Sequence, residues 1–342
     1  MNYKKGTKMD NEGYVMGGMA FLLIIPALIL TNILISAVFM DNTQISPFKS
    51  DRVYQLYRDV ESDIPKFSVQ GLYETSETVS KTGQPISNSR STIKTRIQTK
   101  LDSSYSEYQR ISGINIHCRI NSVDNSRDPY KICVNSTIYI HYNDSYMVKN
   151  LSQDVEFICT DFPDSRAGCY KIKDPLPFIK TKGYGDLKVE GDKIYYGNSL
   201  SNYLESKDID NYKVYENASS PLYIKRCPYD PYPSHGHSNL VLNLKNCIDN
   251  GYYHLSADGP CIFCRLEGKS VCEHTGLETF VVPGNYKLHG YTAPCSVDHV
   301  IFGATRAEIY DGISLEYKFN DTPLFWMYLD NGHKNKYGIP ID

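Results

Sequence analysis

"INIHCRI" spans Ile114–Ile120, and the change of hydrophobic period that begins there decides the fold class. Upstream, Ile93, Ile97, Leu101, Tyr105 and Tyr108 recur at three- and four-residue spacing, which marks one face of a helix. From Ile114 the period is two, as in a half-buried strand. "YKICVNSTIYIHY" (Tyr130–Tyr142) alternates in the same way, and the turn-rich "NSVDNSRDP" between them predicts a pair of strands. "DLKVEGDKIYYG" (Asp186–Gly197) has a hairpin pattern with Gly191 in its turn. "ISLEYKF" (Ile313–Phe319) and "LFWMYL" (Leu324–Leu329) flank the turn "NDTP". Helices followed by antiparallel hairpins make this an α+β chain.

Toward the N-terminus, Val53, Leu56, Tyr57, Val60 and Ile64 form a second helical stripe. Pro65 is expected to stop or kink that helix, and a polar Ser/Thr tract follows from Thr75 to Thr92. Residues 41–110 contain no cysteine and read as a helical stalk, packed on itself or on other subunits. The alternative is that these helices cover the sheet that follows.

"YVMGGMAFLLIIPALILTNILISAVFM" (Tyr14–Met40) contains no charge over 27 residues. A bilayer core needs about 20 apolar residues as a helix, so this segment reads as a transmembrane helix, kinked at Pro26. Its length, and Phe39 and Met40 ahead of Asp41, argue against a cleaved secretory signal. Lys4, Lys5 and Lys8 precede the span closely, while Lys49 and Arg52 follow at greater distance. This bias places residues 1–13 in the cytoplasm and the body of the chain outside.

The stretch "EGYVMGGMAFLLIIPALIL" resembles the N-terminus of archaeal type IV pilin-like proteins and of the pseudopilins of tight-adherence systems. In that resemblance Gly13 ends a leader and Tyr14 begins the mature chain. Phe21 to Pro26 reproduces the family's Phe-to-Pro spacing, while Ala20 stands where many members have Glu, and Glu12 where Lys or Arg is usual. The resemblance covers roughly the first 30 of 342 residues. It implies a structural subunit that associates with copies of itself through the apolar helix, where Gly17, Gly18 and Ala20 permit close packing.

All ten cysteines lie between Cys118 and Cys295, on the predicted outer side. Outside the cytoplasm an even set of thiols reads as disulfides: Cys118, Cys133, Cys159, Cys169, Cys227, Cys247, Cys261, Cys264, Cys272 and Cys295. Near-neighbour bridges Cys118–Cys133 and Cys159–Cys169 are the simplest pairing. Cys261, Cys264, Cys272 and His274 in "GPCIFCRLEGKSVCEH" (Gly259–His274) also have the residue types of a zinc site, with His235, His237 or His254 as further ligands. The compartment favours disulfides, so no metal or cofactor is expected. Sequons at Asn135, Asn143, Asn150, Asn217 and Asn320 are expected on exposed turns or strand edges of a glycosylated body.

Composition limits function further. Net charge is −3 and no long basic run exists, so nucleic acid is not an expected partner. Cys295 and His299, with Asp298 adjacent, offer a thiol and an imidazole, yet no established catalytic motif is present and no enzyme activity is expected. "CPYDPYPSHGHS" (Cys227–Ser238) is an aromatic, proline-stiffened loop able to meet a glycan or a surface partner. The expected organisation is a leader (1–13), an apolar helix (14–40), a stalk (41–110), a disulfide-containing β domain (111–176) and a second Cys-rich β domain (177–342). With the N-terminal resemblance, this organisation implies a pilin-like subunit of a surface filament. An anchored adhesin or receptor that never polymerises, and an extracytoplasmic enzyme, are the alternatives.

Overall fold

A computed structural model describes residues 51–158, 170–209, 212–229, 246–284 and 296–303, together with the backbone of Gly312–Phe319 and Thr322–Asp330. The apolar segment 14–40 and the leader lie outside these residues. No helix among the described residues is long and apolar enough to cross a membrane.

Helix α1 runs over 51–82 and α2 over Ser89–Ser112. They form an antiparallel pair: Tyr105 donates to Asp63 at 2.8 Å, and Lys100 meets Glu74 at 2.6 Å, so later residues of one helix face earlier residues of the other. Asn88 caps α2 by accepting from the Ser91 N–H. The chain then forms a meander of β1 (Asn115–Asn125), β2 (Lys131–Tyr142) and β3 (Ser145–Glu156), antiparallel throughout with β2 in the centre. Both predicted helical stripes are buried against this sheet. Val53, Leu56, Val60 and Ile64 of α1 and Ile93, Ile97, Leu101 and Tyr105 of α2 share one core with Ile116, Ile120, Ile132, Val134, Ile138 and Ile140. The helices therefore cover the sheet.

Two sequence expectations fail here. The first is the Cys118–Cys133 bridge. Cys118 pairs across the sheet with Ile138, while Cys133 pairs with Asp124. Their levels differ by five residues along β2, or about 17 Å at 3.3 Å per residue, far beyond disulfide reach. Cys118 instead faces the core, where burial pushes its thiol up to about 12. The second is a stop at Pro65, one of the two outcomes expected there: α1 continues through it to residue 82. Proline has no N–H for the carbonyl four residues earlier, which is that of Glu61. Gln153 of β3 supplies the missing donor, its Nε2 reaching the Glu61 carbonyl at 3.2 Å. The Ser/Thr tract is helical as far as residue 82 and again from Ser89, and in α1 its hydroxyls bond within or just beside the helix. Thr75 donates to the Gly71 carbonyl, and Ser76 to that of Lys173, both at 2.6 Å.

A second core gathers Leu176, Ile194, Tyr196, Leu200, Leu204, Val297, Ile301 and Phe302. Its elements are short: α3 (Leu176–Lys180), β4 (Lys188–Glu190), β5 (Lys193–Tyr195), α4 (Ser199–Glu205), β6 (Ser219–Pro221) and α5 (246–250). β7 (His254–Ser256), α6 (Ile262–Leu266), β8 (Gly276–Glu278), β9 (Phe280–Val281), β10 (Ser296–Val297) and α7 (Asp298–Gly303) follow. β4 and β5 form the expected hairpin, with Gly191 at φ 59° in its turn. β11 (Gly312–Phe319) and β12 (Thr322–Asp330) pair antiparallel, with Thr322 and Pro323 of the expected turn already paired in β12. The chain passes from the first core at Ile172 to the second at Leu176, then returns to the first through Ile224, Tyr253 and 261–266.

The Pro65 arrangement is testable by a double-mutant cycle. Gln153→Leu should cost about 1 kcal/mol in chemical denaturation. In a P65A background, where an N–H returns to the Glu61 carbonyl, the same change should cost close to nothing. Equal losses in both backgrounds would show that the two positions are not coupled.

Candidate metal centre

Loop 259–277 brings together four ligand residues that the sequence placed within fourteen positions. Cys261 precedes α6, a five-residue helix that carries Cys264. Cys272 and His274 follow on the return of the chain toward β8. The loop is closed at its base by two glycines. A Cβ on Gly276 would lie 2.0 Å from the Gly259 carbonyl oxygen, so the two segments can touch only with no side chain there. The Leu277 N–H donates to the Pro260 carbonyl at 3.2 Å and completes the closure.

Above this base, the three sulfurs and one ring nitrogen of His274 all lie within 4.8 Å of one another. Cys261 and Cys264 are buried, Cys272 is half-buried and His274 is exposed. Cys261 Sγ lies 3.9 Å from His274 Nδ1, and the Cys261 N–H donates to Cys272 Sγ at 3.3 Å. A second group, Cys227, Cys247 and His254, is wholly buried. Its two sulfurs are 3.6 Å apart, and the Cys247 hydrogen bond, with His254 adding to it, pulls the Cys227 thiol down to about 4.

Among the described residues, no disulfide joins Cys118, Cys133, Cys227, Cys247, Cys261, Cys264 and Cys272 to one another. Cys159, Cys169 and Cys295 lie outside the described residues, as do His235 and His237, so the Cys159–Cys169 pairing lies there too. Of the sequons, Asn143 and Asn217 occupy exposed turns at φ 51° and 57°, and Asn150 is exposed on the edge strand β3. Asn135 departs from expectation: it is half-buried in the central strand, and its Nδ2 donates to Ser122. Asn320 lies outside the described residues.

The next residue after Cys264 is Arg265, and its guanidinium is fully buried. Nη1 donates to Asp174 and to Asp298, each at 2.7 Å. Nε donates to the Pro260 carbonyl, Nη2 to that of Leu277, and the group lies over the Tyr253 ring. Burial works against the charge on Arg265, but the two carboxylates outweigh it and hold the guanidinium above its ordinary value. Burial pushes the Asp174 carboxyl up, and Arg265 opposes that shift. Asp298 is thus engaged with Arg265, and His299 Nε2 lies 3.1 Å from the buried Glu278. Asp298 and His299, which the sequence sets beside Cys295, thus lie against Arg265 and Glu278, while Cys295 lies outside the described residues. Arg265, Asp174 and Glu278 carried no signal in the sequence, since their partners are distant along the chain.

Glu267 joins the loop to the helical pair. Its carboxylate accepts from the N–H and hydroxyl of Ser89, the first residue of α2. A carboxylate there also meets the positive end of the helix dipole. Burial raises its pKa, but Lys269 and Ser89 prevail and depress it. Arg90 stacks over Phe263 beside this contact.

Arg265→Met should cost about 3–5 kcal/mol, because two buried carboxylates lose their countercharge. Its residual stability should rise as pH falls, since the abandoned carboxylates then bind protons more tightly in the fold than in the unfolded chain. A loss below 1 kcal/mol in urea would show that the cluster is dispensable. Glu267 behaves in the opposite sense. A depressed carboxyl contributes stability above its unfolded pKa, near 4.5, and loses it as pH falls through the lower folded value. Glu267→Gln should therefore cost about 0.5–1 kcal/mol at pH 7 and progressively less below pH 4. A pH-independent difference would count against this charge–helix contact.

No family model matches the chain, and neither the curated proteins nor the solved structures contain a match to it.

Proposed function

We propose that the chain is a pilin-like structural subunit, held in the membrane by residues 14–40, with its glycosylated body displayed outside the cell. The observation that carries this reading is the charge-free segment itself, 27 residues preceded by three lysines and followed by every cysteine and every sequon. In this role the apolar helix anchors the subunit before assembly and then packs against its copies. Gly17, Gly18 and Ala20 allow helix backbones to approach, since association in lipid rests on van der Waals packing rather than on water exclusion.

Features of the body support display and self-association. Asn143, Asn150 and Asn217 are exposed and open to a glycan. The outer face of the sheet presents Tyr139, Tyr146 and Val148 to solvent, with Tyr146 78% exposed. Aromatic and aliphatic groups together on one open sheet face suit contact with a neighbouring subunit. The buried Arg265–Asp174–Asp298 and His299–Glu278 contacts tie ionisable groups to each other, which is the behaviour of a scaffold.

The test is a double variant, Gly17→Leu with Gly18→Leu. Leucine is at least as apolar, so insertion into the membrane should be unchanged, while close helix packing is obstructed. Electron microscopy of native material should show filaments for the wild type and none for the variant, with equal amounts in the membrane pool. If wild type forms no filaments, or the variant forms them normally, an anchored, non-polymerising adhesin replaces this reading.

A further inference from the structure

We propose that Cys261, Cys264, Cys272 and His274 bind one zinc ion in a tetrahedral Cys3His site. The inference needs only the fold of the 259–277 loop and stands apart from the proposed function.

Geometry is the first argument. With Zn–S near 2.3 Å and Zn–N near 2.0–2.1 Å, the edges of a tetrahedral site are about 3.6–3.8 Å. The Cys261 Sγ to His274 Nδ1 distance of 3.9 Å is close to such an edge, and the four ligand atoms lie within 4.8 Å of one another. A cluster of several irons would hold its ligands farther apart. Thiolates and imidazole also suit zinc and disfavour calcium or magnesium, which take oxygen ligands.

The number of sulfurs is the second argument. Three thiols cannot all be paired among themselves. Any one disulfide in the group leaves the third sulfur beside an imidazole, in a position that a bridge does not explain. A single ion uses all three and the ring nitrogen. The ordered backbone agrees: the Cys261 N–H aimed at Cys272 Sγ is the kind of outer-shell hydrogen bond that orients a thiolate ligand. The Gly259–Gly276 contact sets the two halves of the ligand set opposite each other before any ion arrives. Cys272 is half-buried and His274 exposed, which provides a path from solvent to a site whose other two ligands are buried.

The competing outcome is chemical. On the outer side of a membrane these thiols meet oxidising conditions, and a Cys261–Cys264, Cys261–Cys272 or Cys264–Cys272 disulfide would abolish the site. The experiment uses the full chain purified in detergent without added metal. Elemental analysis should find one zinc fewer per chain in Cys272→Ser and in His274→Ala than in the wild type. Cys133→Ser, on β2 and in neither Cys/His group, should match the wild type. The buried Cys227–Cys247–His254 group is unchanged in all four proteins and cancels in the comparison. A second measurement needs no variant. Cys261, Cys264 and Cys272 of the native chain should resist alkylation until a zinc chelator is added, and then all three should be modified. The proposal is overturned if wild type and both ligand variants hold the same zinc. It is equally overturned if non-reducing peptide mapping finds any two of these three cysteines joined in the native protein.

Discussion

A guanidinium taken wholly out of water must be surrounded by acceptors, and the acceptors that Arg265 collects come from both halves of the body. Asp174 lies between Ile172 of the first core and Leu176 of the second. Asp298 opens α7, whose Val300, Ile301 and Phe302 belong to the second core. Arg265 itself stands on α6 among residues of the first. The Tyr253 hydroxyl donates to Asp174, and the Tyr253 carbonyl accepts from Tyr130 beside the large sheet. If any member were missing, a charge would remain in a medium that cannot solvate it. Such a cluster adds little net stability over an apolar filling, but it penalises any arrangement of the two cores that separates its members.

The parts of the fold legible in the sequence are those where burial follows one clean period. α1, α2, β1 and β2 each put one face into a single core, and their buried residues recur as geometry requires. β3 was not legible. It is an edge strand, and only Val155 is buried along Ser145–Glu156, so no alternation was imposed on "SYMVKNLSQDVE". The continuation of α1 through Pro65 was equally hidden. The rule that proline ends a helix assumes that the freed carbonyl finds no other donor. Here the donor is Gln153, which is 92 residues away in sequence and adjacent in space.

The candidate centre was legible in part. The Cys261–His274 spacing already read as a ligand set, and the structure brings those four residues together. What the sequence could not weigh was the count of sulfurs within reach. Compartment and the even count of cysteines argued for disulfides, and near-neighbour pairing followed from spacing along the chain. Register decided otherwise for Cys118 and Cys133, because strand partners are set by the turn and not by separation in sequence. Asp174 and Asp298 sit 91 and 33 residues from Arg265, and no local pattern links them.

The adjacency of Cys264 and Arg265 gives α6 two separate tasks. A five-residue helix has too few internal hydrogen bonds to hold itself together, so tertiary contacts must fix its position. On one flank those contacts are the sulfurs and imidazole of the 261–274 loop; on the other they are the buried carboxylates. Each constrains the rotation of α6 about its axis, and each suffers if the other fixes it wrongly. A guanidinium cannot leave water until its acceptors are placed, and Pro260 and Leu277, which supply two of them, are also the residues whose backbone closes the ligand loop. Closing the loop therefore prepares the acceptors for Arg265. Through Glu267 on Ser89 and Arg90 on Phe263, the same short segment then fixes the start of α2, and with it the helical pair over the sheet.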